Sequence, residues 1–126
     1  QMEIGEKATE FEHEPYETTL RKASRYYTEI ARADNNTAHL VGYVQTAAVA
    51  RYSFHVPMRT TPSITETNFG VMHGGGSEEA ITSVDDITQD EQFVSFRANV
   101  SANLTAGQAV VLYSNGAATL TFDAEL

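Results

Sequence analysis

Residues 48–56 read AVARYSFHV, and the alternation within them decides the fold class. In an extended chain Ala50, Tyr52, Phe54 and Val56 point one way, while Val49, Arg51, Ser53 and His55 point the other. One face is apolar and the other polar, which is the signature of a half-buried antiparallel strand. Pro57 ends it, because a proline has no N–H to donate to a ladder, and PMRTTP (57–62) makes the connection.

The same pattern recurs on both sides of this stretch. FVSFRANV (93–100) places Val94, Phe96, Ala98 and Val100 on an inner face, and ATLTFDAEL (118–126) does so with Leu120, Phe122, Ala124 and Leu126. Shorter strands are expected at RYYTEIARA (25–33), HLVGYV (39–44), SITETNFGVM (63–72), AITSV (80–84) and AVVLY (109–113). Turn signals separate them: DNN at 34–36, HGGGS at 73–77, the acidic DDITQDEQ at 85–92, and SNGA at 114–117, which reads as a hairpin turn. Before the strands, Pro15 suits the first turn of a short helix to about Ser24. Glu17 near its start and Arg21 and Lys22 near its end complement the helix dipole. So short a helix must dock on something, and Tyr16, Leu20 and Ala23 share the face that would do it.

About eight short strands after one helix predict a mainly β chain: an antiparallel, jelly-roll-like β-sandwich over residues 15–126, with residues 1–14 as a linker or the end of a preceding module. The chain has 126 residues, 41% hydrophobic and 20% charged, which suits one hydrophobic core. Its net charge of -9 repels phosphate backbones and anionic lipid, so neither nucleic acid nor membrane is an expected partner. No apolar run approaches the roughly 20 residues that span a bilayer. With no cysteine there is neither a disulfide nor a thiolate metal site, and stability rests on the core or on partner chains. Gln1 is not an initiator methionine, which suggests a piece of a longer protein.

The first 27 residues, QMEIGEKATEFEHEPYETTLRKASRYY, resemble a segment of bacteriophage tail-fibre and related virion proteins that closes one module and opens a terminal one. The matching positions are Gln1, Glu3, Gly5, Ala8, Thr9, Phe11, Glu12, His13, Tyr16, Leu20, Arg25, Tyr26 and Tyr27. VPMRTTPS (56–63) and the closing LTAGQAVVLYSNGAATLTFDAEL (104–126) are similar more weakly. Glu14 and Ser24 depart from the pattern, where a basic residue and a cysteine are common. The resemblance implies a homotrimeric tip domain of a fibre or spike on the virion, joined to upstream modules of the same fibre and displaying a receptor-binding surface to a host-cell glycan or protein. On this reading Phe11, Tyr16, Leu20 and Tyr27 clamp the linker and helix to the sandwich or to a neighbouring subunit.

The candidate chemical clusters are weaker. In FEHE (11–14) successive side chains of an extended segment diverge, so His13 and its flanking acids form no proton-transfer pair. HGGGSEE lacks the lysine of a phosphate loop, and the neighbours Glu78 and Glu79 give no sign of two carboxylates facing across a cleft. DDITQDE lacks the glycine and spacing of a calcium loop, and His39, His55 and His73 are scattered singly. No catalytic residue, metal site or cofactor is therefore expected. For a glycan ligand the candidates are Tyr113 beside SNG, His73 in the glycine loop, and Arg51 and His55 on an outer strand face. A neutral or basic-substituted sugar suits the acidic chain better than an anionic capsule. A purely structural trimerising cap and a fragment of a polysaccharide-degrading enzyme stand as alternatives.

Overall fold

The computed structural model describes residues 14–34, 37–89 and 93–125. Its elements are the helix α1 (Tyr16–Ala23) and the strands β1 (Tyr27–Arg32), β2 (Ala38–Thr46), β3 (Val49–His55), β4 (Ser63–His73), β5 (Ser77–Gln89), β6 (Phe93–Val100) and β7 (Ala109–Asp123). All pairings are antiparallel, and the chain is mainly β as expected.

The strands run β7-β2-β3-β6-β5-β4, and β4 pairs again with β7 to close the ring. The expected jelly-roll sandwich therefore gives way to a six-stranded antiparallel barrel, since hydrogen bonds continue around the core instead of stopping at two sheet edges. β1 lies outside the ring, on the free edge of the second half of β7. Beside it, the first half of β4 (Ser63–Thr67) pairs the other edge of that half, so the sheet extends past the barrel as β1-β7-β4.

The core follows the alternation of the sequence. Ala50 faces Ala98, Tyr52 faces Phe96 and Phe54 faces Val94 across β3 and β6, small against small and ring against ring. The Phe122 ring sits 5.4 Å from Phe54 and 6.1 Å from Phe96, joining the end of the chain to its middle. Burying each such ring stabilises the fold by about 1.5–3 kcal/mol. Glycine makes room for one of them: a Cβ on Gly42 would stand 2.6 Å from the Tyr52 ring opposite. The Tyr52 hydroxyl is enclosed there with no hydrogen-bond partner among the described residues.

Two expectations about connections are corrected. SNGA is not a hairpin turn but a bend inside the continuous strand β7. Between Thr67↔Thr119 and Phe69↔Ser114, β4 advances two residues while β7 spans five, and the surplus forms a wide bulge. Both halves of β7 keep β4 as a neighbour, which is possible only if the chain does not reverse. Gly116 supplies a left-handed φ of +86° there, so the same Asn-Gly chemistry that favours a turn serves a bulge instead. On its other edge β7 exchanges β2 for β1 across the bend, and the buried Ser114 hydroxyl donates to the Asp34 carbonyl of the β1–β2 connection at 2.7 Å. Likewise DDITQ (85–89) is not loop: β5 runs to Gln89, with an irregularity between Asp85 and Thr88.

The helix forms where expected, after Pro15, and ends at Ser24, whose N–H donates to the Leu20 carbonyl. Lys22 pairs with Glu14. It buries no residue, however, and Tyr16 is 77% and Leu20 53% exposed, so it does not dock on its own barrel. Among the described residues, the chain is fastened to the barrel just after the helix. Ala124 N–H donates to the Tyr26 carbonyl at 2.7 Å, and Arg59 N–H to that of Arg25 at 2.9 Å. The Arg59 guanidinium also lies over the Tyr26 ring.

Candidate functional site

The polar half of AVARYSFHV builds the most developed surface feature. Residues directly opposite on paired strands share a face, so the outward side chains of β3, β6 and β5 fall into rows. Arg51 stands opposite Arg97, which stands opposite Asp85; Ser53 stands opposite Ser95, opposite Thr88; His55 stands opposite Phe93. A groove of about 550 Å³ lies along the second and third rows, lined by Ser53, Thr88, Gln89, Phe93 and Ser95.

The lining combines hydroxyls, one amide and one aromatic ring. Gln89 donates from Nε2 to the Met58 carbonyl at 2.8 Å, which fixes its amide. Phe93 is 44% exposed and meets the His55 ring edge-on, with centroids 5.2 Å apart. The adjacent row is held by polar bonds. Arg97 pairs with Asp85 at 2.9 Å, Asn99 donates to both Asp85 and Ser83 at 3.0 Å, and Arg51 donates to Gln45 at 3.1 Å. Such a surface offers an apolar platform beside several donors and acceptors, which is the chemistry that recognises a sugar ring. Among the described residues no carboxylate lines the groove, and no group of three His, Asp or Glu side chains is placed to hold a metal ion.

The four sequence-derived ligand candidates do not converge. His55 borders the groove and Arg51 lies two residues along the same face. His73 is elsewhere, as the last residue of β4, paired with Ser77 across the hairpin; Gly74, Gly75 and Gly76 make that turn with positive φ. Its Nε2 is enclosed without a partner among the described residues, so it is not a ring presented at a loop tip. Tyr113 is corrected more firmly. It is not at a loop end but within β7, 3% exposed, lying over Gly70, where a Cβ would stand 2.5 Å from its ring. Its hydroxyl donates to Glu78 at 3.0 Å. Burial, that bond and the charges of Glu78 and Glu79 push its pKa up to about 12.

Of the clamp residues, Phe11 lies outside the described residues. Tyr16 and Leu20 are exposed, and Tyr27 is 46% exposed, with its hydroxyl donating to Glu29. Among the described residues, Tyr16 and Leu20 are covered by nothing, while Tyr27 stands in β1 opposite Asp123 of β7. Sequence reasoning missed Phe93, Ser95 and Thr88. The first two were legible as the outward positions of FVSFRANV, but Thr88 was not, because its segment read as an acidic loop.

No protein-family model matches the sequence, no curated protein matches it, and no solved structure matches the fold. What the fold and site define is a class alone: an antiparallel β-barrel with a helix projecting from it and a polar, aromatic-edged groove on its outer wall.

Proposed function

We propose that this chain is a non-enzymatic host-attachment domain, the tip of a bacteriophage tail fibre or similar virion appendage, displayed as a homotrimer and binding a cell-surface glycan through the β3–β6–β5 groove. The observation that carries the glycan reading is the exposed Phe93 ring set beside the Ser53, Ser95 and Thr88 hydroxyls and the Gln89 amide. A pyranose would lay its C–H face on Phe93 and exchange hydrogen bonds with the hydroxyl row. Each site would be shallow and weak, and three identical sites on one fibre would raise avidity through effective concentration. The virion setting and the trimer rest on the resemblance of residues 1–27 and of the closing segment.

The test is adsorption of the labelled domain to host cells, with glycan-stripped cells as the contrast. Binding that is lost on stripping and reduced in Phe93→Ala and Ser95→Trp supports the reading. Equal binding by those variants moves the site elsewhere, and release of reducing sugar ends would overturn the non-enzymatic assignment.

A specific observation favours a second reading, a structural trimerising cap without a ligand. Tyr16, Leu20, Tyr26 and Tyr27, four of the exposed large apolar residues, fall within twelve positions of the N-terminal segment. A domain that assembles normally and adsorbs to no cell would fit that reading.

A further inference from the structure

His39 sits at the irregularity between β2 and β7. Ala38 stands opposite Tyr113 and Leu40 opposite Leu112, so β2 advances two residues while β7 advances one, and His39 is the surplus. Its ring meets Phe69 of β4 edge-on, with centroids 5.1 Å apart. Phe69 is 3% exposed, and the His39 Nε2 is enclosed with no hydrogen-bond partner among the described residues. The same end of β2 is bound to the bend of β7. The Ser114 N–H donates to the Thr37 carbonyl at 3.1 Å, and the Thr37 N–H donates to the Ser114 hydroxyl at 3.3 Å. Ser114 stands opposite Phe69, so the ring contact and these two bonds meet at one point of the seam.

We infer that this junction is an acid-sensitive latch: protonation of His39 expels its ring from Phe69 and frees the start of β2 from Ser114, while the rest of the barrel stays paired. A neutral imidazole fits the enclosure, since with its proton on Nδ1 the Nε2 carries only a lone pair. An imidazolium has an N–H on both nitrogens, and its Nε2–H is then a charged donor enclosed without an acceptor. The charged groups on the surrounding elements give no relief. Burial, and then the like charge of Arg32 at the end of β1, hold the His39 pKa below the usual 6.5. The Glu66 carboxylate of β4 accepts from the Phe69 N–H, and Asp34, between β1 and β2, turns its carbonyl to Ser114. β7 presents the neutral Ser114.

Relief comes by opening. Once out of the enclosure the imidazole regains water and its ordinary pKa of 6.5, so opening takes up a proton. The latch is therefore whole above pH 6.5 and loosens as pH falls from 6.5 to the folded value. Over that window the opening equilibrium rises about tenfold for each pH unit between the two values. The ladder beyond the bulge does not depend on His39: Leu40 to Tyr43 stay paired with β7, and Gly42 onward with β3. β7 exchanges β2 for β1 at this bend, so the part that loosens is the seam between the ring and its three-stranded extension.

The test is amide hydrogen exchange followed by NMR between about pH 8 and pH 5, the span in which histidine titrates. Exchange is read as protection factors, which removes the pH dependence of the intrinsic rate. The Ser114 amide is expected to lose protection below pH 6.5, in step with titration of the His39 ring, while the β3 and β6 amides hold theirs. His39→Phe keeps a ring against Phe69 but takes no proton, so its Ser114 protection should not vary with pH. His39→Gln, neutral and smaller, gives the same comparison where the larger ring does not fit. Glu66→Gln should keep the response of the parent. A pH-dependent loss that persists in the His39 variants overturns the latch, and so does a His39 ring that titrates while Ser114 stays protected. Disappearance of the response in Glu66→Gln would assign it to that carboxyl and overturn the latch as well.

Discussion

The side-chain amide of Asn68 donates to the carbonyl of Ala117 at 2.8 Å, tying the kink of β4 to the bulge of β7. Asn68 itself has a φ of +57°, one of two non-glycine residues with positive φ among the described residues. Asparagine tolerates that conformation better than other L-residues, and its short amide then reaches the Ala117 carbonyl inside the bulge. The bend is what lets β7 exchange β2 for β1, so this contact fixes where the ring ends and the three-stranded extension begins.

Asn68→Ala loses both the backbone tolerance and the bond, and a loss of about 1–3 kcal/mol is expected in urea unfolding. Asn68→Gly keeps the tolerance and should lose less. Equal losses in the two variants would show that the backbone conformation is not the issue.

Gly70 and Tyr113 form a pair across β4 and β7 in which the ring occupies the space of a missing Cβ. Gly70→Ala is expected to cost about 1–3 kcal/mol by overpacking. Combined with Tyr113→Ala it should cost less than the two single changes added together, since the clash then has no ring to meet. Additive losses would contradict the contact.

The raised value of the Tyr113 hydroxyl has an alkaline consequence. A folded pKa above the usual 10.0 means that the contribution of the neutral hydroxyl is whole below pH 10 and is lost as pH rises through about 12. Ultraviolet titration should show a late-ionising tyrosine that is absent from Tyr113→Phe. An unchanged titration curve in that variant would place the late group elsewhere.

The Tyr52 hydroxyl is buried without a partner among the described residues, and burial holds its pKa far above the usual phenol range. Tyr52→Phe removes an unsatisfied group and little volume, so stability should rise by about 1 kcal/mol. A comparable loss instead would reveal a hydrogen bond to that hydroxyl.

Glu66 is half-buried, and burial raises its pKa above the ordinary 4.5, partly opposed by the Phe69 N–H that it accepts at 3.3 Å. The folded state therefore favours the protonated acid. That contribution is whole below pH 4.5 and is lost as pH rises through the folded value. Glu66→Gln should melt higher than the parent at pH 7, and the gap should close below about pH 4.5. A gap independent of pH would refute the burial argument.

Part of this architecture was legible in the residues alone. Period-two alternation in AVARYSFHV and FVSFRANV fixed which side chains enter the core, because a one-residue slip would bury Arg51 and expose Tyr52. The helix was legible from Pro15 and its charge order, since capping and dipole effects act within a few residues. The outward face carrying Arg51, Ser53 and His55 was legible for the same local reason.

The closure of the barrel was not, nor was the fate of SNGA. An Asn-Gly pair permits a left-handed backbone whether it turns a hairpin or bulges a strand, and only the partner strand decides between them. Tyr113 read as an exposed aromatic beside a turn. It is buried because Gly70, forty-three residues away, leaves the space that its ring fills. Local sequence dictated strands, faces and the helix, which depend on neighbours along the chain. Tertiary structure alone decided how the sheet closes, which aromatics are covered and what the groove brings together, because those depend on register between distant segments.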